Sequence, residues 1–466
     1  MIGTLPVDVV LGAEERLDAS AAPQQAGGAM ADRTRHHEGE AGRGTRVHDG
    51  DLARLRARIT ALEARCLSPA DTVPEPDGAA HAEVPSRRER VTQPWRKDLM
   101  GLAALFVSTR VALVIIGQLS RDLVPGPVVH PQPLGTGSSY SSHEFLDLWG
   151  QWDTSWYLSI AEHGYTSEPL QGPFANYAFF PLYPLLARWV GWLVGGPFIG
   201  GLVVSNVALL VACVFVYRLA ALDADAGTAR RTVKYLFVAP GAFLFSAMLT
   251  ESTFLALSVM CFYFARTKRW WAVGVLGFLL ALSRPPSALV VIPLLWMYGK
   301  ERDFSLRRAG PDVLWLALLP AGLCVFMAVN EVVTGDAMSF TRIQVTAWGH
   351  RLQNPITSLW QNLSSENSFW RFNAWYLLGV LALTVAFLRR LGGAYLLFAL
   401  VVVLPPMSYG GWDSMVRYTL VIFPLYVVGA RATAGRPHVD QAATIALALL
   451  QVFLMTQWAN NGSLVI

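Results

Sequence analysis

From residue 99 to the end, the chain is a succession of apolar runs: 99–119, 198–220, 234–250, 252–266, 270–283, 286–298, 312–332, 374–388, 393–408, 416–431 and 441–458. A membrane-spanning helix takes about 20 apolar residues, fewer where it is broken or shielded. In lipid the backbone must satisfy its own hydrogen bonds, which a helix does segment by segment. The pattern therefore predicts an all-α polytopic membrane protein with about eleven spans, and the short runs between 252 and 298 leave room for half-helices. Composition agrees: 53% of residues are hydrophobic and only 15% charged, against about 25% charged in a typical soluble domain. Residues 1–98 hold 14 Lys+Arg and 16 Asp+Glu. An ordinary soluble enzyme, a disulfide scaffold and a nucleic-acid binder are excluded. The net charge of +4 sums unlike regions and implies no polyanionic partner. Cys66, Cys213, Cys261 and Cys324 are widely spaced, with neither a disulfide framework nor zinc-ligand spacing.

The first 98 residues read as a cytoplasmic tail, without the basic and apolar regions of a signal peptide. Residues 12–50 have few large apolar side chains and are expected to be disordered. Leu52, Leu55, Ile59 and Leu62 make one short apolar stripe, predicting an amphipathic helix near 51–66. Residues 99–466 then form the membrane domain. Basic residues set its orientation. With the N-terminus inside, every inner loop is basic, for example Arg266/Lys268/Arg269 and Lys300/Arg302/Arg307/Arg308. The first outer loop has no Lys or Arg over 122–176 and six acids: Asp122, Glu144, Asp147, Asp153, Glu162 and Glu168. The C-terminus falls outside. Phe180 to Gly196, with Pro181, Pro184 and Arg188 among aromatics, reads as an interfacial helix.

Two outer loops are long, 120–197 and 333–373, and loops of that length usually carry function. The first has the densest polar and aromatic cluster: Gly150-Gln-Trp-Asp153-Thr-Ser-Trp-Tyr157, Ile160-Ala-Glu-His163-Gly-Tyr165 and Phe179-Phe-Pro-Leu-Tyr-Pro184. Locally, Asp153 can cap a short helix that Gly164 ends. Functionally, it is a carboxylate at the membrane surface, able to take a proton from an acceptor hydroxyl attacking an activated sugar carbon. A phosphate leaving group needs cationic stabilisation rather than a second acid.

These residues resemble the first outer loop of the PIG-V-like mannosyltransferases, multispan enzymes of the GT-C glycosyltransferase class. Leu249-Thr-Glu251-Ser-Thr-Phe254 and Ser283-Arg284-Pro-Pro-Ser resemble that family's later glutamate and arginine segments, although Pro285-Pro286 stands where polar and small residues are usual. The likeness spans roughly 150–290. It implies a GT-C-like fold, a polyprenyl-phosphate sugar donor (mannose foremost), inverting transfer on the outer face of the plasma membrane, and Asp153 as catalytic base. The Ala/Arg/Gly-rich composition suggests a high-GC, actinobacterial source. The acceptor would then be a lipid-linked glycan, a lipoglycan or a protein.

Trp152, Tyr157 and His163 of the same motif are expected substrate contacts. Glu251 falls at an outer helix end, where an acid is either functional or favoured by the helix dipole. Arg284 stands before a proline, placed to meet a phosphate or to snorkel. Arg417, in Trp412-Asp-Ser-Met-Val-Arg417, is a further substrate-binding candidate, with an i,i+4 pair to Asp413 as the simpler account. A divalent metal between Asp153 and the donor phosphate is conceivable, but the loop has no DxD pair. The alternative class is a lipid-linked-sugar flippase, which usually shows inverted repeats and polar residues at mid-membrane; here polar groups gather at outer ends.

Overall fold

The computed structural model describes residues 95–124, 139–170, 172–388 and 391–462. The expected tail disorder and the helix near 51–66 lie outside the described residues. Everything described is helix, turn or loop, with no β-strand among the described residues.

Helix α1 (Trp95–Leu123) is followed, beyond one helical turn at Glu144–Asp147, by α2 (Thr154–His163), α3 (Leu182–Val194), α4 (Pro197–Ala221) and α5 (Ala226–Val238). Next come α6 (Glu251–Arg266), α7 (Trp270–Ala281), α8 (Val291–Glu301), α9 (Leu318–Thr334) and α10 (Ser339–Thr346). The chain continues through α11 (Pro355–Leu363), α12 (Ser368–Leu388), α13 (Gly393–Met407), α14 (Met415–Leu420), α15 (Pro424–Ala432) and α16 (Pro437–Ala459). Five stretches are long and apolar enough to cross a membrane: Met100–Leu123, Pro197–Ala221, Pro311–Thr334, Ser368–Ala386 and Pro437–Ala459. Three shorter helices, α3, α7 and α13, are also apolar.

Two of the expected runs, 234–250 and 416–431, are divided rather than continuous. Proline accounts for much of the difference, because it lacks the donor a helix interior needs. Pro240-Gly241 ends α5 and leaves a 3-10 turn, Ala242–Ser246, where a single 234–250 span was expected. Pro285 opens a 3-10 segment, Pro285–Val290, ahead of α8. Pro424 starts α15 and divides the expected 416–431 run. Helix α6 has the expected place and 16 residues, nearly all buried. A helix enclosed by protein need not match the bilayer by itself.

The non-helical stretch between α5 and α6 is buried throughout, so its peptide groups need partners. Arg110 of α1 donates through Nη1 to Ala242 O at 3.0 Å and Ser246 Oγ at 2.9 Å. Gln451 Nε2 donates to Phe237 O and Ala239 O, each at 3.0 Å. Ser205 Oγ donates to Ala247 O at 2.7 Å, and Met248 N–H donates to Trp149 O at 3.1 Å. The break is therefore tied to three long helices and to the approach to α2. It delivers Glu251 to the first position of α6, next to the turn that carries Asp153.

Helix α3 packs along α4 at backbone range. A Cβ on Gly200 would stand 2.3 Å from Ala187 O and 2.5 Å from Gly191 N. Backbone cannot yield as a side-chain tip can, so Gly200→Ala is expected to force the pair apart. Overpacking of this kind costs about 1–3 kcal/mol, to be read as a lower melting temperature in detergent. Helix α3 also leaves Trp189, Trp192 and Leu193 exposed.

Candidate functional site

Asp153 sits at the entrance of α2, yet its carboxylate does not cap the helix. The preceding turn already serves the first amides: Thr154 N–H donates to Gln151 O, Ser155 N–H to Trp152 O and Trp156 N–H to Asp153 O. That turn requires Trp152 at φ 51°, a left-handed conformation unfavourable for a bulky residue. Thr154 Oγ1 accepts from Gln151 N–H at 3.2 Å and donates to Met248 O at 3.4 Å, pinning the turn to the α5–α6 break. The expected cap is thus replaced by backbone, and the carboxylate is free for a distant partner.

That partner is Arg417, on α14. Its Nη1 donates to Asp153 Oδ2 at 2.6 Å and its Nε to Glu251 Oε1 at 2.7 Å. Ser414, just before α14, has φ 61°, a second non-glycine residue held left-handed beside the site; such strain is typical of functional positions. Glu251 has no exposed surface. Its Oε1 also lies 3.7 Å from Arg284 Nη1, while Oε2 and Arg284 Nη1 have no hydrogen-bond partner. Arg284 lies in the gap between α7 and the 3-10 segment, its guanidinium 5.0 Å from the Tyr418 ring and 5.6 Å from the Phe254 ring. Two carboxylates and two guanidiniums thus form a cluster of zero formal charge. Glu251, Arg284 and Arg417 are buried and Asp153 is half-buried.

The cluster borders a cavity of about 280 Å³ whose lining includes Trp152, Asp153, Tyr157, Arg284, Arg417 and Tyr418. Part of the wall comes from the 333–373 region and the turn before α14: Gln344, Trp348, His350, Asp413 and Ser414. Trp348 packs into an aromatic group with Trp156, Phe174 and Phe179 at centroid distances of 4.9–6.1 Å. Burial pushes Asp413 above the usual carboxylate range, against the opposing effects of His350 and the 3.3 Å bond from Trp370 Nε1. Burial also lowers His350 below the usual histidine value, although Asp413 and Asp153 act to raise it. The histidine is therefore neutral at pH 7.

Six of the seven sequence-predicted residues, Asp153, Glu251, Arg284, Trp152, Tyr157 and Arg417, come together here. Glu251 stands behind Arg417 and Arg284 and is not among the cavity-lining residues. His163 does not join them. It lies at the far end of α2, exposed, with only Glu162 beside it at 3.9 Å. Ten residues of helix carry it about 15 Å from the Asp153 end. The expected Asp413–Arg417 pair is also corrected: Arg417 spans Asp153 and Glu251, and Asp413 takes the Trp370 indole. Tyr418, His350, Gln344 and Trp348 escaped the sequence reading. For His350, Gln344 and Trp348 the one signal was the length of the 333–373 loop; Tyr418 directly follows Arg417. Among the described residues, no group of three or more His, Cys, Asp or Glu side chains is set to hold a metal ion.

No protein-family model matches the chain, and no curated protein does. Among solved structures, it is similar to the oligosaccharyltransferase of Archaeoglobus fulgidus. The complex with zinc and sulfate shares 14% identity over 76% of this chain and 53% of that one, with a TM-score of 0.36. The apo form shares 13% over 77% and 56%, with a TM-score of 0.39. The form tethered to an acceptor peptide containing the NVT sequon shares 11% over 77% and 55%, with a TM-score of 0.38. The chain spans about half the length of these proteins.

Proposed function

We propose that the protein is a membrane glycosyltransferase of the GT-C type. In this reading it transfers a hexose, mannose foremost, from a polyprenyl-phosphate donor to a hydroxyl of a glycan, lipid or protein acceptor. The observation that carries it is the bridge made by Arg417 between Asp153 and Glu251, with Arg284 beside it, at the edge of one cavity. Arginines are suited to a phosphate because their donors are fixed and their charge is permanent. Among the described residues, Arg284 Nη1 has no hydrogen bond to give up. The motif over 150–290, which resembles the PIG-V-like mannosyltransferases, supplies the choice of sugar and carrier.

In the step itself, the acceptor oxygen forms a bond to the anomeric carbon from the face opposite the phosphate. The bond from that carbon to the phosphate oxygen breaks, and its electron pair leaves with the phosphate. Asp153 takes the acceptor proton. Arg284 and Arg417 stabilise the growing phosphate charge, which in a partly enclosed site counts for more than in water. Inversion at the anomeric carbon follows from the single displacement. On the topology expected from the basic loops, the cavity faces the outer side of the membrane.

The test is reconstitution. Purified protein in proteoliposomes is given radiolabelled polyprenyl-phosphate-mannose and a membrane-lipid extract from the host. Label is expected to appear in a new product. Donor crossing the bilayer with no product formed would replace this reading by that of a flippase.

A further inference from the structure

His350 is more tightly specified than a loop residue needs to be. Its backbone N–H donates to Gln344 O at 2.8 Å, and its Nδ1 lies 2.8 Å from Gln344 Oε1. One ring face is stacked on Tyr409, with centroids 4.6 Å apart and planes 9° from parallel. An amide oxygen only accepts, so the neutral ring carries its proton on Nδ1 and keeps the lone pair on Nε2. Nε2 has no hydrogen-bond partner among the described residues, and His350 lines the same cavity as Asp153. Helix α10, through Gln344, thus fixes position, tautomer and tilt of a cavity-lining imidazole that has one acceptor to give.

We propose that His350 is a positioning residue for the acceptor: its Nε2 accepts a hydrogen bond from a second hydroxyl, next to the one that attacks, and so aligns the attacking oxygen with Asp153. This rests on the transfer reading above and assigns the acceptor at least two neighbouring hydroxyls. Asp153 remains the proton acceptor, and His350 neither gains nor loses a proton in the step. The charged groups facing the ring are Asp413 and Asp153, with Arg417 held between Asp153 and Glu251. Both acids favour protonation of the ring and burial opposes it more strongly. The lone pair is therefore present at neutral pH and is lost only as the medium becomes acidic. Protonation turns Nε2 into a donor, so the hydroxyl that donated to it must rotate to accept instead, and the alignment it gave the attacking oxygen changes.

The experiment compares wild type, His350→Phe and His350→Gln in proteoliposomes with radiolabelled polyprenyl-phosphate-mannose. Octyl α-mannoside serves as acceptor, alongside the host lipid extract. His350→Phe keeps a ring against Tyr409 and removes the acceptor; it is expected to raise the acceptor KM about tenfold, the worth of one hydrogen bond, with donor KM unchanged. Wild-type rate at low acceptor is expected to fall on the acid side of pH 6.5. His350→Gln presents an uncharged oxygen near the place of Nε2 and should keep activity while losing that part of the fall. Unchanged acceptor KM in a folded His350→Phe protein overturns the proposal. So does an acid fall that persists undiminished in His350→Gln, which decides the matter if the Phe variant misfolds. Absence of transfer to any acceptor by wild type instead overturns the transfer reading, and this inference with it.

Discussion

Asp153→Asn is expected to lower transfer by about two to four orders of magnitude, the usual contribution of a positioned general base, while leaving the fold intact. The amide oxygen still accepts from Arg417 Nη1, now 2.6 Å from Asp153 Oδ2. The helix start loses nothing, since the Asp153 side chain makes no capping bond. What disappears is the ability to take a proton. The substitution also removes one negative charge from a formally neutral cluster, leaving two guanidiniums against Glu251 alone. Affinity for an anionic donor is therefore expected to hold or rise as turnover falls. Initial rates of label transfer, with donor KM measured separately, check both halves. A variant that transfers at the wild-type rate would remove Asp153 from proton transfer and leave it as a counterion to Arg417. A variant that loses donor affinity instead would place Asp153 on the donor side.

Much of this site was legible because ionisable residues are scarce between apolar runs and so stand out. Glu251 and Arg284 each lie at the end of such a run, where an unneeded charge is costly, and Asp153 lies in the densest polar and aromatic cluster of the first outer loop. Arg417 was also visible, but its partner was not. The i,i+4 rule pointed to Asp413, four residues away, whereas the carboxylates that bind it are 264 and 166 residues distant in sequence. Local spacing cannot register a contact made by folding a broken segment back under a loop. His163 shows the same limit: motif membership suggested the cavity, and helical geometry places the side chain away from it. His350 had the opposite fate. It lies in an unremarkable stretch, and only Gln344 and Tyr409 reveal that its ring is held in one orientation. The boundaries of the expected runs differ for another reason. Hydropathy reads apolar length and does not see that Pro240 and Pro424 divide it, nor that neighbouring side chains then satisfy the freed peptide groups.

The largest effect on stability is expected from Arg417→Met. Glu251 has no exposed surface and its Oε2 already lacks a partner. Removing Arg417 deletes the 2.7 Å bond to Oε1 and leaves only Arg284, at 3.7 Å. Stranding one member of a buried ion pair typically costs about 3–5 kcal/mol. Glu251→Gln alone leaves Arg417 its bond to Asp153 and a neutral acceptor in place of Oε1, so a smaller loss is expected. The double variant should recover much of the Arg417→Met loss, because the stranded charge is gone and methionine fills the arginine stem. Unfolding midpoints of the four proteins in one detergent give the coupling directly. Strong recovery would mean that Arg417 and Glu251 are dispensable to folding as a pair, and that a sequence retaining both retains them for the cavity. Losses that simply add would mean that the pair contributes no coupling and that Arg284 alone suffices to hold Glu251. On the first outcome, the double variant would be folded and inactive: Asp153 would keep its carboxylate but lose the guanidinium that orients it, and the donor phosphate would face Arg284 alone.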